Sequence, residues 1–283
     1  MFNEKTEKNI SESHIPLKKF GRQLVWHDEF DKAYIDNDKW SFIRAMSSTV
    51  AEYDNSAKYA RIENGKLHLQ IHKSEKAEKQ IALSECLSTK NTMNFKYGYL
   101  EMCCKIPFRH GAWPGFWMKS DTPYANSEYM SEIDIFEAFS SNNMVVCNLH
   151  KWMGLKHTLL PDGEGSPKRG YMFKNFSNLN NEYHVYGFEW NEDFTAFYVD
   201  GEKYAQFAID EEHDFSTHNM PGMDCFHDFH YILLSNEVFN SGRAWKPEWA
   251  LLREEDPLPI DYWVDWIRLY QNPEKEKIIF PML

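Results

Sequence analysis

The chain has 283 residues, which suits one large domain or two small ones. Its formal net charge of -12 argues against nucleic acid or an anionic membrane as a partner, since both need basic patches. The aromatic content of 16% asks for more than a core, because Trp and Tyr also give flat apolar faces with a polar handle, the surface a sugar ring stacks on.

The first residues, MFNEKTEKNISES, are charged and lack an apolar stretch, so no signal peptide is visible. No apolar run is long enough to span a bilayer. As it stands the sequence reads as cytoplasmic, or as secreted or periplasmic with a leader removed. Cys86, Cys103, Cys104, Cys147 and Cys225 are odd in number and form no CxxC, which fits reduced thiols rather than a disulfide framework.

Residues 1–20 read as a flexible arm, and 21–283 as a single domain. RIENGKLHLQIHK alternates with period two and places a hairpin turn at Asn64-Gly65. ALSECLSTKN suggests a helical turn. YGYLEMCCKIP alternates again and should put Cys103 and Cys104 on opposite faces. FTAFYVDGEKYAQFAI reads as a hairpin about Asp200-Gly201. HDFSTHNMPGMDCFHDFH, at 213–230, tempts a zinc reading, but its spacing matches no zinc site, and a cleft loop fits better. KPEWALLREED suggests a second helical turn. HYILLSNEV and YWVDWIRLYQ are strands, and the apolar IIFPML tail could pack back on the domain. These elements predict an all-β fold: an antiparallel β-sandwich, a jelly roll with a concave substrate cleft.

One strand is unusual. SEIDIFEAF, at 131–139, carries Glu132, Asp134 and Glu137 among apolar residues. Strict alternation puts Glu132 and Asp134 on one face and Glu137 on the other. A β-bulge at Ile135-Phe136 would bring all three together. Read alone, the stretch could be an acidic surface edge. Its neighbours favour catalysis: Trp113 and Trp117 in GAWPGFWMKS, and His150 and Trp152 in NLHKW. Two carboxyl groups beside such rings can cleave a glycosidic bond, one as nucleophile and one as acid. Three acids this close cannot all ionise freely, which separates their roles.

The sequence resembles glycoside hydrolase family 16, on the Glu132-Ile133-Asp134-Ile135-Phe136-Glu137 motif and on LVWHDEFD, YGYLEMCCKIPFRHGAWPGFWM, YHVYGFEWNEDFTAFYVDG and VDWIRLYQ, across roughly residues 22–271. The extra bulge residue is typical of the laminarinase, agarase and carrageenase branches. The resemblance implies a retaining endo-acting hydrolase of a β-linked polysaccharide, with β-1,3-glucan first. Galactan hydrolysis, transglycosylation, and a non-catalytic carbohydrate-binding role remain as alternatives. Glu132 would be the nucleophile, Glu137 the general acid/base and Asp134 the assisting carboxylate. Trp113, Trp117 and His150 would line the sugar subsites.

Two positions depart from the family pattern: Cys103 replaces an arginine, and Leu234-Ser235-Asn236-Glu237-Val238 replaces a small, Gly-rich run, with Glu237 in reach of the cleft. Arg109, with His110, Lys151 and Arg243, would supply charge for a sulfated galactan. Catalysis needs no cofactor in this reading. Relatives' structural calcium would fall at Glu29, Gly65 and Asp265. The expected partner is a glycan, and the expected state a monomer.

Overall fold

The computed structural model describes residues 15–281 except 47, 122–127, 140–143, 154–155, 161–170, 174–178, 180–181, 210–213, 216–219 and 240–249. For strands 156–160, 171–173, 214–215 and 220–221 it describes the backbone alone.

Two large sheets pack face to face. The first runs in the order Glu202–Ala208, Phe194–Val199, His184–Trp190, Gly98–Lys105, Ile260–Gln271, Lys66–Lys73, Ile81–Leu83, Ala51–Tyr53. The second runs Lys156–Leu160, Val145–Met153, Met130–Ala138, Ala112–Ser120, His230–Val238, Cys86–Ser88, Ser41–Ile43. Among the described residues, pairing is antiparallel except between Ala51–Tyr53 and Ile81–Leu83. The predicted antiparallel sandwich is therefore the fold. Alternation fills the space between the sheets: Leu100, Met102 and Cys104 come from the first, and Phe116, Met118, Ile133 and Leu149 from the second, all in one buried cluster.

The hairpins form where the turn chemistry puts them. Asn64 and Gly65, and likewise Asp200 and Gly201, adopt positive φ at both central positions, as tight two-residue turns require. Residues 1–14 of the expected arm lie outside the described residues. Lys18–Lys19 already pairs with Arg22–Asp28, so the sheet begins before residue 21. The tail does pack back, through Lys277–Ile279 against Asn94–Lys96.

ALSECLSTKN is a correction. It forms two strands, Ile81–Leu83 and Cys86–Ser88, one in each sheet and each buried. A short run buried on both sides has no polar stripe, so its period is unreadable in the sequence. Of KPEWALLREED, residues 246–249 lie outside the described residues, Ala250 is in a 3-10 turn, and 254–255 form a second turn. All five cysteines are buried free thiols. Cys104 faces the inter-sheet core and Cys103 the opposite side, as alternation predicted.

Candidate active site

The site lies on the face of the second sheet turned away from the first. In Met130–Ala138, Glu132 pairs with Lys119 and Asp134 with Trp117, but Glu137 pairs with Gly115, so Ile135 is the extra residue. On the other side the register also slips between Asp134 and Glu137. The bulge is where alternation required it. Both bulged residues, Ile135 and Phe136, enter the inter-sheet core. That double anchor swings Glu137 onto the face of Glu132 and Asp134.

Each acid has a different surrounding. The Glu132 carboxylate lies 3.7 Å from the Lys119 ammonium. Asp134 Oδ2 is 2.9 Å from His150 Nε2. Glu137 accepts from two neutral donors, the Trp113 indole N–H at 2.8 Å and the Asn148 amide at 2.7 Å. Glu132, Asp134 and His150 each place a side-chain N or O atom within 4.8 Å of the others. Such a trio can attract a cation, and Lys119 sets one beside Glu132.

Burial raises all three acids. Glu132 is pushed up by burial and by the Asp134 charge, while His150 and Lys119 pull it down. Asp134 is raised to about 7 by burial, against Lys119 and Asn148. Glu137 is raised to about 8 by burial and by Asp134, against His150 and the Trp113 hydrogen bond. Groups this close release their protons in joint steps.

The other expected residues divide. Trp113 reaches the acids, and its ring stacks on Phe239 at 4.4 Å. Trp117 is on the same face, but it packs into a cluster with Cys86, Tyr231 and Leu233 and is only 6% exposed. Its indole donates to Ser235. Gly115 permits this, since a Cβ there would lie 2.9 Å from Ser235 Oγ and 3.3 Å from the Trp117 ring. His150 and Trp152 stack at 6.1 Å, with Lys119 over the Trp152 ring. Glu237 is on the Trp113 flank, buried, with the Tyr53 hydroxyl 3.5 Å away.

Arg109 is not brought to the acids. It donates to the backbone carbonyls of Pro257 and Pro259, which fixes its guanidinium to that segment. His110 lies 3.4 Å from Asp256. Lys151 is buried, with its ammonium on the Gly222 carbonyl. Arg243 lies outside the described residues. The alternation that sends Asn148 and His150 outward turns Lys151 the other way.

Sequence reasoning missed Asn148 and Lys119, although each is two residues from a residue it singled out, His150 and Trp117. In the 213–230 stretch, His213 and His218 lie outside the described residues. His227 bonds Tyr97, and His230 bonds Ser131 and is lowered to about 4 by burial. These two serve packing.

The calcium positions meet at one end of the first sheet, since Asp28 pairs with Ile267 and Val264 with Leu67. Glu29 receives both arms of the Arg268 guanidinium, at 2.9 and 2.7 Å. Burial alone would raise the Glu29 carboxyl, but bonds from His27 and Arg268 hold it at about 2. Asp265 is paired with Lys66. Each carboxylate is thus matched by a basic side chain.

A row of carboxylates among indoles on the face of a jelly-roll sheet is the kind of site that cleaves glycans. A family model for glycosyl hydrolases family 16 matches residues 47–224, well over half of the chain, and the chain belongs to that family. It is 25% identical over 275 residues to "Glucan endo-1,3-beta-glucosidase A1" of Niallia circulans, covering 89% of this chain and 38% of that one. It is 26% identical to "Beta-glucanase" of Rhodothermus marinus, covering 88% and 85%. A solved structure from a study of endo-acting O-glycanases of the human gut microbiota, titled for mucin breakdown, superposes with a TM-score of 0.72 at 24% identity, covering 93% and 95%. This chain spans little over a third of the length of the first two curated relatives it matches.

Proposed function

We propose that the chain is a retaining endo-glycosidase of β-linked glycans, with β-1,3-glucan as the first substrate. The carrying observation is the asymmetry of the acids: an ammonium beside Glu132, and neutral donors on Glu137. Glu132 attacks the anomeric carbon while Glu137 gives its proton to the leaving oxygen. Glu137, now a carboxylate, takes a proton from water, which releases the sugar from Glu132. Asp134, held by His150, stands between the two. The names of the two bacterial relatives support a glucan.

The test is a reducing-end assay against laminarin, mixed-linkage glucan, agarose, porphyran, κ-carrageenan and mucin O-glycans. New ends from laminarin support the reading, and cleavage of another member reassigns the substrate. Silence from folded protein across the panel defeats it. A sulfated galactan is disfavoured, because Arg109 and Lys151 are engaged with backbone carbonyls.

The pH profile should be bell-shaped. Glu132 must be ionised, so the rate climbs on the acid side as it loses its proton. Glu137 must be protonated, and its raised affinity keeps it so until about 8, above which the rate falls. A rate still climbing well past that pH would remove Glu137 from the role of acid.

We also propose that Arg268 and Lys66 do the work of a structural ion at Glu29 and Asp265. The melting temperature should then be the same in EDTA and in excess calcium. A drop on chelation, restored by calcium, would return the ion to that site.

A further inference from the structure

Lys119 is unexpected at this place. It sits at the end of Ala112–Ser120, directly across from Glu132, with both side chains on the site face. Its ammonium is 3.7 Å from Glu132 Oε2 and 5.5 Å from the centre of the Trp152 ring. Its side chain is only 25% exposed. A lysine at a strand end ordinarily extends into water. This one lies down between a carboxylate and an indole.

The charges around Glu132 explain what it does there. On its own strand stand Asp134 and, beyond the bulge, Glu137. From Val145–Met153 comes His150, and from His230–Val238 comes the Tyr231 hydroxyl. All of these except His150 oppose a negative charge on Glu132 or leave it unaided. Burial opposes it too. Arg109 and Lys151 are committed elsewhere. A nucleophile has to carry the charge its surroundings discourage.

We infer that Lys119 is a positioning residue for the reaction: its ammonium keeps Glu132 as the attacking anion and holds its carboxylate in place. This rests on the glycosidase reading given above. The lysine forms no bond with substrate in this account and acts only through Glu132. When the glycosyl ester forms, Glu132 gives up its charge. When water breaks the ester, the carboxylate returns to the ammonium, so the same contact favours the second step.

The titration needs no substrate. Protein carrying glutamate labelled with carbon-13 at Cδ is titrated by NMR as wild type, Lys119→Met, Lys119→Gln and Lys119→Arg. The Glu132 signal is identified by its loss in Glu132→Gln. Removing the ammonium should raise the Glu132 midpoint by about one pH unit or more, the range for losing an opposite charge at this distance. Arginine should hold it near the wild-type value. In the rate profile the acid limb should move with the midpoint, while the alkaline limb stays. Two isosteric replacements guard against one failing to fold. An unchanged midpoint in a folded Met or Gln variant overturns the inference. The glycosidase reading fails separately, if wild-type protein cleaves nothing in the glycan panel, and the titration still decides what Lys119 does to Glu132.

Discussion

Glu132→Gln should lower turnover by more than about a thousandfold and leave the fold intact. The amide keeps the shape of the carboxylate but cannot form the glycosyl ester, so the covalent route is closed rather than slowed. The effect on stability can be signed. Burial and Asp134 raise the Glu132 carboxyl in the folded chain. A group bound more tightly to its proton in the folded state stabilises the fold at low pH, and that contribution is lost as pH rises through the folded value. The neutral amide escapes this loss. The net rise already includes the opposing pull of Lys119, so the amide loses no net stabilisation by giving that contact up. The melting temperature at neutral pH should therefore be no lower than that of wild type. Turnover on laminarin and a thermal melt, on one preparation, check both halves. A variant within tenfold of wild type would take the nucleophile's role from Glu132.

Phe136→Ala should cost about 3–5 kcal/mol, the range for emptying a buried aromatic site. Phe136 is fully buried, and its ring meets Phe116, Tyr186 and Tyr262 at 6.1, 4.5 and 6.5 Å between centroids. These neighbours belong to both sheets, so little can collapse into the space. Phe136 is also one of the two buried residues of the bulge that turns Glu137 outward. Activity should fall more than the unfolded fraction explains, because Glu137 loses its place beside Trp113. Urea denaturation gives the first number, and turnover per folded molecule the second. A loss under about 1 kcal/mol would mean that the sheets close over the gap and that the bulge is held by its backbone alone.

Much of this was legible in the sequence because a local rule decided it. Two turns with positive φ wrote two hairpins. The failure of Glu137 to keep step with Glu132 and Asp134 announced the bulge. Other features depend on what lies across a gap, which one strand does not record. The ring of Trp117 reads as a sugar platform until the missing side chain of Gly115 lets it sink against Ser235. Arg109 reads as a cleft cation until the 257–259 segment arrives with its carbonyls. Nothing in the sequence singles out Lys119, because only the register between strands sets it against Glu132. Strands 81–83 and 86–88 are buried on both faces, and at that length covered strands and covered helix turns look alike.

The five thiols lead to a last consequence. None is bridged, and all are shut away from solvent. Oxidants and disulfide exchange act on the thiolate. Burial pushes Cys103 and Cys225 to about 12 and raises Cys104 well above its ordinary value. The molecule therefore has no crosslink for a reductant to break, and its five sulfurs are closed off from an oxidant by burial. Its architecture makes no demand on the electron balance of its surroundings, and the cysteine count, which read as a sign of a reducing interior, carries no address.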